Sequence, residues 1–126
     1  MIVHAPEVAR DGDEVCLAAR IEPEAPAPGW PETLWFRAPA AWAPLVHARA
    51  DAFVAALFIV AMRRGERLVV RGPVSPRLLY GLDAYQRILH VFFGAGLAPV
   101  RVAARAAVVR STSRAPSPAT RRSTTR

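Results

Sequence analysis

Hydrophobic positions along the chain change period several times, and each change predicts an element. In residues 14–22, EVCLAARIE, the apolar Val15, Leu17, Ala19 and Ile21 alternate with Glu14, Cys16, Ala18, Arg20 and Glu22. That period of two predicts a strand with one buried face. Residues 2–10 are also β-compatible, and Asp11-Gly12-Asp13 lies between the two runs. Asp-Gly tolerates positive φ, so the pair predicts a hairpin. Residues 23–31, PEAPAPGWP, carry four prolines in nine positions. Such a stretch cannot join a sheet interior and predicts an extended connector. Alternation resumes at 33–38, TLWFRA, with Leu34 and Phe36 on one face and Trp35 and Arg37 on the other. Pro39 and Pro44 then bracket a segment around Trp42 with room for one helical turn.

The pattern turns helical at residues 49–64, which stop at Gly65. Glycine is the natural residue just past a helix, and Arg63 and Arg64 complement its negative end. Phe53, Val54, Leu57, Phe58, Ile59, Val60 and Met62 are spread around the whole wheel. A helix apolar on every side is expected to be buried on every side. Leu68-Val69-Val70 then predicts a short interior strand, and Gly72-Pro73 predicts a turn. Ser75 stands where an N-cap belongs, with Pro76 at the first helical position. The second helix runs to Phe93 and ends at Gly94. Its core stripe is Leu78, Leu82, Tyr85, Leu89 and Phe92, opposite Asp83, Gln86, Arg87 and His90. Alternation returns at Val100–Val109 as a last strand.

These elements predict an α+β (or α/β) fold: a mixed β-sheet with two principal helices, in the order β-β-β-α-β-α-β. Residues 1–110 form the domain. Residues 111–126, STSRAPSPATRRSTTR, have no Leu, Ile, Val or aromatic residue and are expected to be a disordered Arg/Ser/Thr/Pro tail. The 126 residues suffice for one domain with a real core.

Charge changes this picture only at its end. The formal net charge is +7. Five arginines and no acid lie from Arg110 onward, whereas residues 1–109 balance twelve arginines against ten acids. The absence of lysine, with heavy Ala and Pro usage, fits a GC-rich coding bias; charge composition bears on solubility and nonspecific binding more than on a site. Cys16 is the single cysteine, which excludes an intrachain disulfide and a Cys-based zinc site. The longest apolar run, Ala52–Met62, has eleven residues, short of the ~20 that span a bilayer. No signal-peptide pattern opens the chain, and a soluble, cytoplasmic protein is expected.

Little in the pattern suggests chemistry. His4, His47 and His90 have no metal-ligand spacing to one another, and no metal or cofactor is expected. Cys16 reads as a small strand hydrophobe, and Asp51 and Asp83 as solvated or capping acids. One element is a weak candidate anion site: Gly72, Ser75 and Arg77, where a glycine-containing turn feeds a helix N-terminus. Its bland reading is that Gly72 turns the chain and Ser75 caps the helix, because several glycines are needed for backbone to cradle phosphate. The arginine tail is either an arm for anionic partners or the product of an out-of-frame reading of GC-rich DNA. It lacks aromatic residues for base stacking.

LWFRAP (34–39), RADAFVAALFIVAMRRGERLVVRGPVS (49–75) and LLYGLDAYQRIL (78–89) together resemble the N-terminal domain of bacterial proteins related to the adenine nucleotide alpha-hydrolase (ATP pyrophosphatase, PP-loop) superfamily. The resemblance covers residues 1–109. It implies a domain that precedes an ATP-dependent one opening with Ser-Gly-Gly-x-Asp-Ser, a motif absent from these 126 residues. No catalytic residue carries over.

The functional expectation is a noncatalytic accessory domain, a truncated or frameshifted relative of such a protein, partnered by a nucleotide-binding domain on its sheet–helix core. The residues expected to matter are structural: Phe53, Leu57, Phe58, Val69, Leu78, Leu82, Tyr85 and Leu89. The alternative is a stand-alone binding module using its basic tail for nucleic acid or another anionic partner. A third reading is a small enzyme or ligand-binding protein with a pocket at Gly72–Arg77.

Overall fold

The computed structural model describes residues 1–106. They form a mixed six-stranded sheet with two helices packed on one face, an α+β fold. Strands β1 (Ile2–Val3), β2 (Glu7–Asp11), β3 (Glu14–Glu22) and β4 (Thr33–Pro39) precede helix α1 (Asp51–Arg64). Strand β5 (Leu68–Val74), helix α2 (Pro76–Phe93) and strand β6 (Val102–Ala106) follow. The expected boundary at residue 110, the tail of residues 111–126 and the end of the last expected strand lie outside the described residues.

The long strand β3 organises the antiparallel half, pairing with β2 along one edge and β4 along the other. The hairpin is as expected, but its two-residue loop is Gly12-Asp13, because Asp11 pairs with Glu14. Gly12 alone takes positive φ, at 57°, the arrangement with glycine first that suits tight hairpins. The expected first strand over 2–10 breaks around Pro6. Its first part, β1, pairs antiparallel with Ile21–Glu22 and parallel with Val69–Val70. β6 adds in parallel to the far side of β5. Two residues of β1 therefore join the antiparallel and parallel halves of the sheet.

Alternation in β3 is as the sequence predicts, and β5, expected as a continuous apolar interior strand, alternates as well. Leu17, Ala19 and Ile21 of β3 and Leu68, Val70 and Val74 of β5 are buried beneath the helices, with Val3 between them, and Val15 is buried outside that cluster. Arg20, Glu22, Arg71 and Arg105 are exposed on the open face of the sheet. On the helix side, Phe36 meets the edge of fully buried Phe53 at a centroid distance of 5.3 Å.

Helix α1 ends as expected. Gly65, at φ 66°, donates its N–H to Met62, and the N–H of Glu66 reaches back to Ala61 at 3.0 Å. This reciprocal pair of bonds satisfies carbonyls that a helix end leaves free. The expectation that α1 is covered all round is not met. Phe53, Val54, Leu57, Phe58, Ala61 and Met62 are buried, whereas Ala52, Ala55, Ala56, Ile59 and Arg63 are exposed. Small side chains let that outer stripe face solvent at little apolar cost, which an all-apolar wheel conceals.

Two further expectations need correcting. Gly72-Pro73 is not a turn: β5 continues to Val74, and a register shift between Val70 and Pro73 absorbs the proline as a bulge. A Cβ on Gly72 would lie 2.5 Å from Pro6 Cδ and 3.2 Å from Ala50 Cβ, so the glycine is there for close packing. In α2 only Leu82 is fully buried. Leu78 and Leu89 pack partly against the core, but Phe92 is largely exposed and Tyr85 only stacks on Phe58, with ring centroids 6.1 Å apart. Val69 is half-buried on the open face of the sheet.

Candidate functional site

Gly72, Ser75 and Arg77 lie where β5 hands over to α2. Ser75 caps the helix: its Oγ accepts from the N–H of Leu78 at 3.2 Å, and Pro76 occupies the first turn. The N–H of Ser75 donates to Asp51 Oδ1 at 3.0 Å, and Arg49 Nε donates to Asp51 Oδ2 at 3.2 Å. A carboxylate from the first turn of α1 therefore stands at the start of α2, where the helix dipole favours negative charge. Partial burial pushes the Asp51 carboxyl up, but the Ser75 hydroxyl and N–H and the Arg49 charge outweigh it, and the group sits below its ordinary range. Gly72 is sealed beneath Pro6 and Ala50, while Arg77, two residues past Ser75, is exposed in the first turn of α2. The structure brings Ser75 and Asp51 together and leaves Gly72 and Arg77 apart from that contact.

From this junction an apolar groove runs between the helices, floored by Ala52, Ala55 and Gly81 and walled by Leu78 and Tyr85. Elsewhere on α2, Tyr80, Ile88, Val91, Phe92 and Phe93 are exposed.

A second cluster surrounds Glu66, the one buried charged side chain among the described residues. Its carboxylate lies 3.3 Å from the Met1 ammonium and accepts from Arg64 Nε at 2.7 Å and from the N–H groups of Glu24 and Ala25 at 3.0 and 3.4 Å. Burial pushes its carboxyl up, but these donors prevail and hold it at about 2. Every partner ties down the connector after β3 or the start of β1, so the arrangement serves the fold. Only Arg64 is a local partner; the sequence around Glu66 does not reveal the cluster, because its other donors come from residues 1, 24 and 25.

The histidines remain separate. His4 Nε2 lies 2.7 Å from Glu22 Oε2 and 3.0 Å from Arg20 Nη2 on the open sheet face. The His4 hydrogen bond is the main reason the Glu22 carboxyl sits below its ordinary range. A ring nitrogen of His90 meets the Leu97 carbonyl at 2.8 Å. Among the described residues no three His, Cys, Asp or Glu side chains form a group that could hold a metal ion, and no helix is long and apolar enough to cross a membrane. Cys16 is a half-buried free thiol.

Comparison with known proteins finds no match. No family model fits the chain, and no curated protein or solved structure is significantly similar to it. The geometry alone therefore ranks the surfaces. The two polar clusters consist of side chains that satisfy one another, while large apolar side chains stand exposed along α2 (Tyr80, Ile88, Val91 and Phe92) and at β4 and the segment after it (Trp35, Trp42 and Leu45), the run along α2 being the longer.

Proposed function

We propose that this chain is a noncatalytic accessory domain that acts by docking, related to the domain preceding the nucleotide-binding part of PP-loop-related proteins. The observation that carries this reading is the exposed apolar face of α2. Tyr80, Val91 and Phe92 are each more than three-quarters exposed, although an amphipathic helix ordinarily turns its polar side to water. Large exposed apolar patches mark interaction surfaces. A docking domain needs a rigid scaffold beneath that patch, and the core of Phe53, Leu57, Phe58 and Leu82 supplies one.

Two measurements test the proposal. The purified chain with magnesium and ATP is expected to release neither AMP nor pyrophosphate above the buffer rate; release of either refutes a noncatalytic role. Titration with the nucleotide-binding domain of a full-length PP-loop-related protein, followed by backbone NMR, is expected to shift resonances of residues 77–93. A titration that leaves those resonances unmoved removes the docking partner proposed for this face.

A further inference from the structure

We infer that the helix-layer face is self-complementary and that in solution it is covered by a second copy of this chain, with the two α2 helices antiparallel about a two-fold axis near Ala84. The inference rests on reading this face as a docking surface and names an occupant available to the chain on its own.

Arg77, Tyr80, Ala84, Ile88 and Val91 recur at spacings of three and four, so they form one stripe along the outer side of α2. The stripe is nearly symmetric about Ala84. Antiparallel packing about that point sets Tyr80 over Ile88 of the second copy and Arg77 beside Val91 of the second copy. Small Ala84 at the centre lets the backbones approach. The single charge in the stripe, Arg77, then meets the last turn of the opposing helix, where the dipole favours a cation. Antiparallel helices also oppose their dipoles. Asp83 and Arg87 flank the stripe and are already paired with each other, so neither is stranded by burial.

The area is of the right order. Tyr80 is 89 % exposed, Phe92 78 % and Tyr85 45 %, which at the ~150–250 Å² a covered aromatic buries leaves about 300–500 Å² available. Ile88 and Val91, 54 % and 81 % exposed, extend the patch. Together they stay below the ~800 Å² per partner of a standard specific interface and suit a weaker, concentration-dependent pair. A closed isologous pair uses that patch once on each copy and leaves no open end, the commonest symmetry for soluble oligomers.

The test is sedimentation equilibrium of the full chain at micromolar to submillimolar concentration. The expected mass is twice 13.7 kDa. Tyr80→Asp and Val91→Asp, both at exposed positions, should each weaken dimerisation at least tenfold with unchanged circular dichroism, while Trp35→Ala on the open sheet face should not. In a Cys16→Ser background, Ala84→Cys should form a disulfide-linked dimer on mild oxidation. A monomer throughout overturns the inference. A dimer insensitive to both aspartates overturns it too. A dimer whose residues 77–93 ignore an added nucleotide-binding domain leaves this inference standing and defeats the accessory-domain partner. A monomer whose residues 77–93 respond does the reverse.

Discussion

Replacing Glu66 by Gln removes one charge from the most heavily hydrogen-bonded carboxylate among the described residues and leaves its shape intact. The wild-type group is held at about 2 against an ordinary value of 4.5. A depressed carboxyl stabilises the fold at pH values above its unfolded pKa and loses that contribution as pH falls through the folded one. At about 1.4 kcal/mol per pKa unit, the full contribution is about 3 kcal/mol at neutral pH, and about 2 kcal/mol of it is gone by pH 3. The side chain is only 7 % exposed, so water screens little of this. Glu66→Gln also leaves the Arg64 guanidinium without its anion and the Met1 ammonium with only the more distant Glu24 carboxylate at 3.8 Å, and breaking a buried pair typically costs about 3–5 kcal/mol. Urea unfolding at pH 7 and pH 3 measures both effects. The variant is expected to be about 2–4 kcal/mol less stable at pH 7, with the gap narrowing by about half or more at pH 3. A variant within 0.5 kcal/mol of wild type at pH 7 (about the spread of ordinary surface substitutions), or a gap independent of pH, would refute the reasoning.

Other perturbations probe the remaining joints. Gly72→Ala should cost about 1–3 kcal/mol in urea unfolding, because its Cβ meets Pro6 at 2.5 Å and the backbone must give way. Phe53→Ala should cost about 3–5 kcal/mol, since the ring is fully buried and closes against Phe36; a smaller loss would mean the core refills the cavity. Asp51→Asn should destabilise by about 1–2 kcal/mol through the weakened bonds to Ser75 and Arg49, with thermal unfolding as the check. With Asp51 already at the Ser75 N–H, inorganic phosphate is expected to produce no saturable NMR shift at residues 72–77. A saturable shift abolished by Arg77→Ala would show an anion site there after all.

How much of this was legible in the sequence depends on how local each cause is. The hairpin at Gly12, the stop at Gly65 and the Ser75-Pro76 start of α2 are set by backbone conformations of a few residues, and each appears where the pattern places it. The division of the first strand at Pro6 and the bulge before Pro73 are hinted at by the prolines themselves, but how the chain accommodates them depends on strands brought together from afar. The helix wheels mislead for a related reason. Apolar periodicity states which side chains avoid water, not how far a small domain can cover them, so Phe92 reads as core and is exposed. The Ser75 cap of the candidate site was readable from sequence. The approach of Asp51 from another helix was not, because 24 residues separate it from Ser75.

The seam made by Ile2 and Val3 has a consequence for the order in which the chain acquires structure. Strands β2, β3 and β4 pair among themselves within residues 7–39, and such near-neighbour closures cost little loop entropy. Val69 and Val70, by contrast, must travel back to the opening residues of the chain, and contacts of that range slow folding. During synthesis the antiparallel half can assemble early, while Met1 and Val3 wait uncovered for β5 to emerge. The parallel half then nucleates on a template two residues long. Hydrogen exchange during refolding should accordingly protect residues 14–20 before residues 68–70, and the seam should be the place where a stalled or crowded chain goes astray.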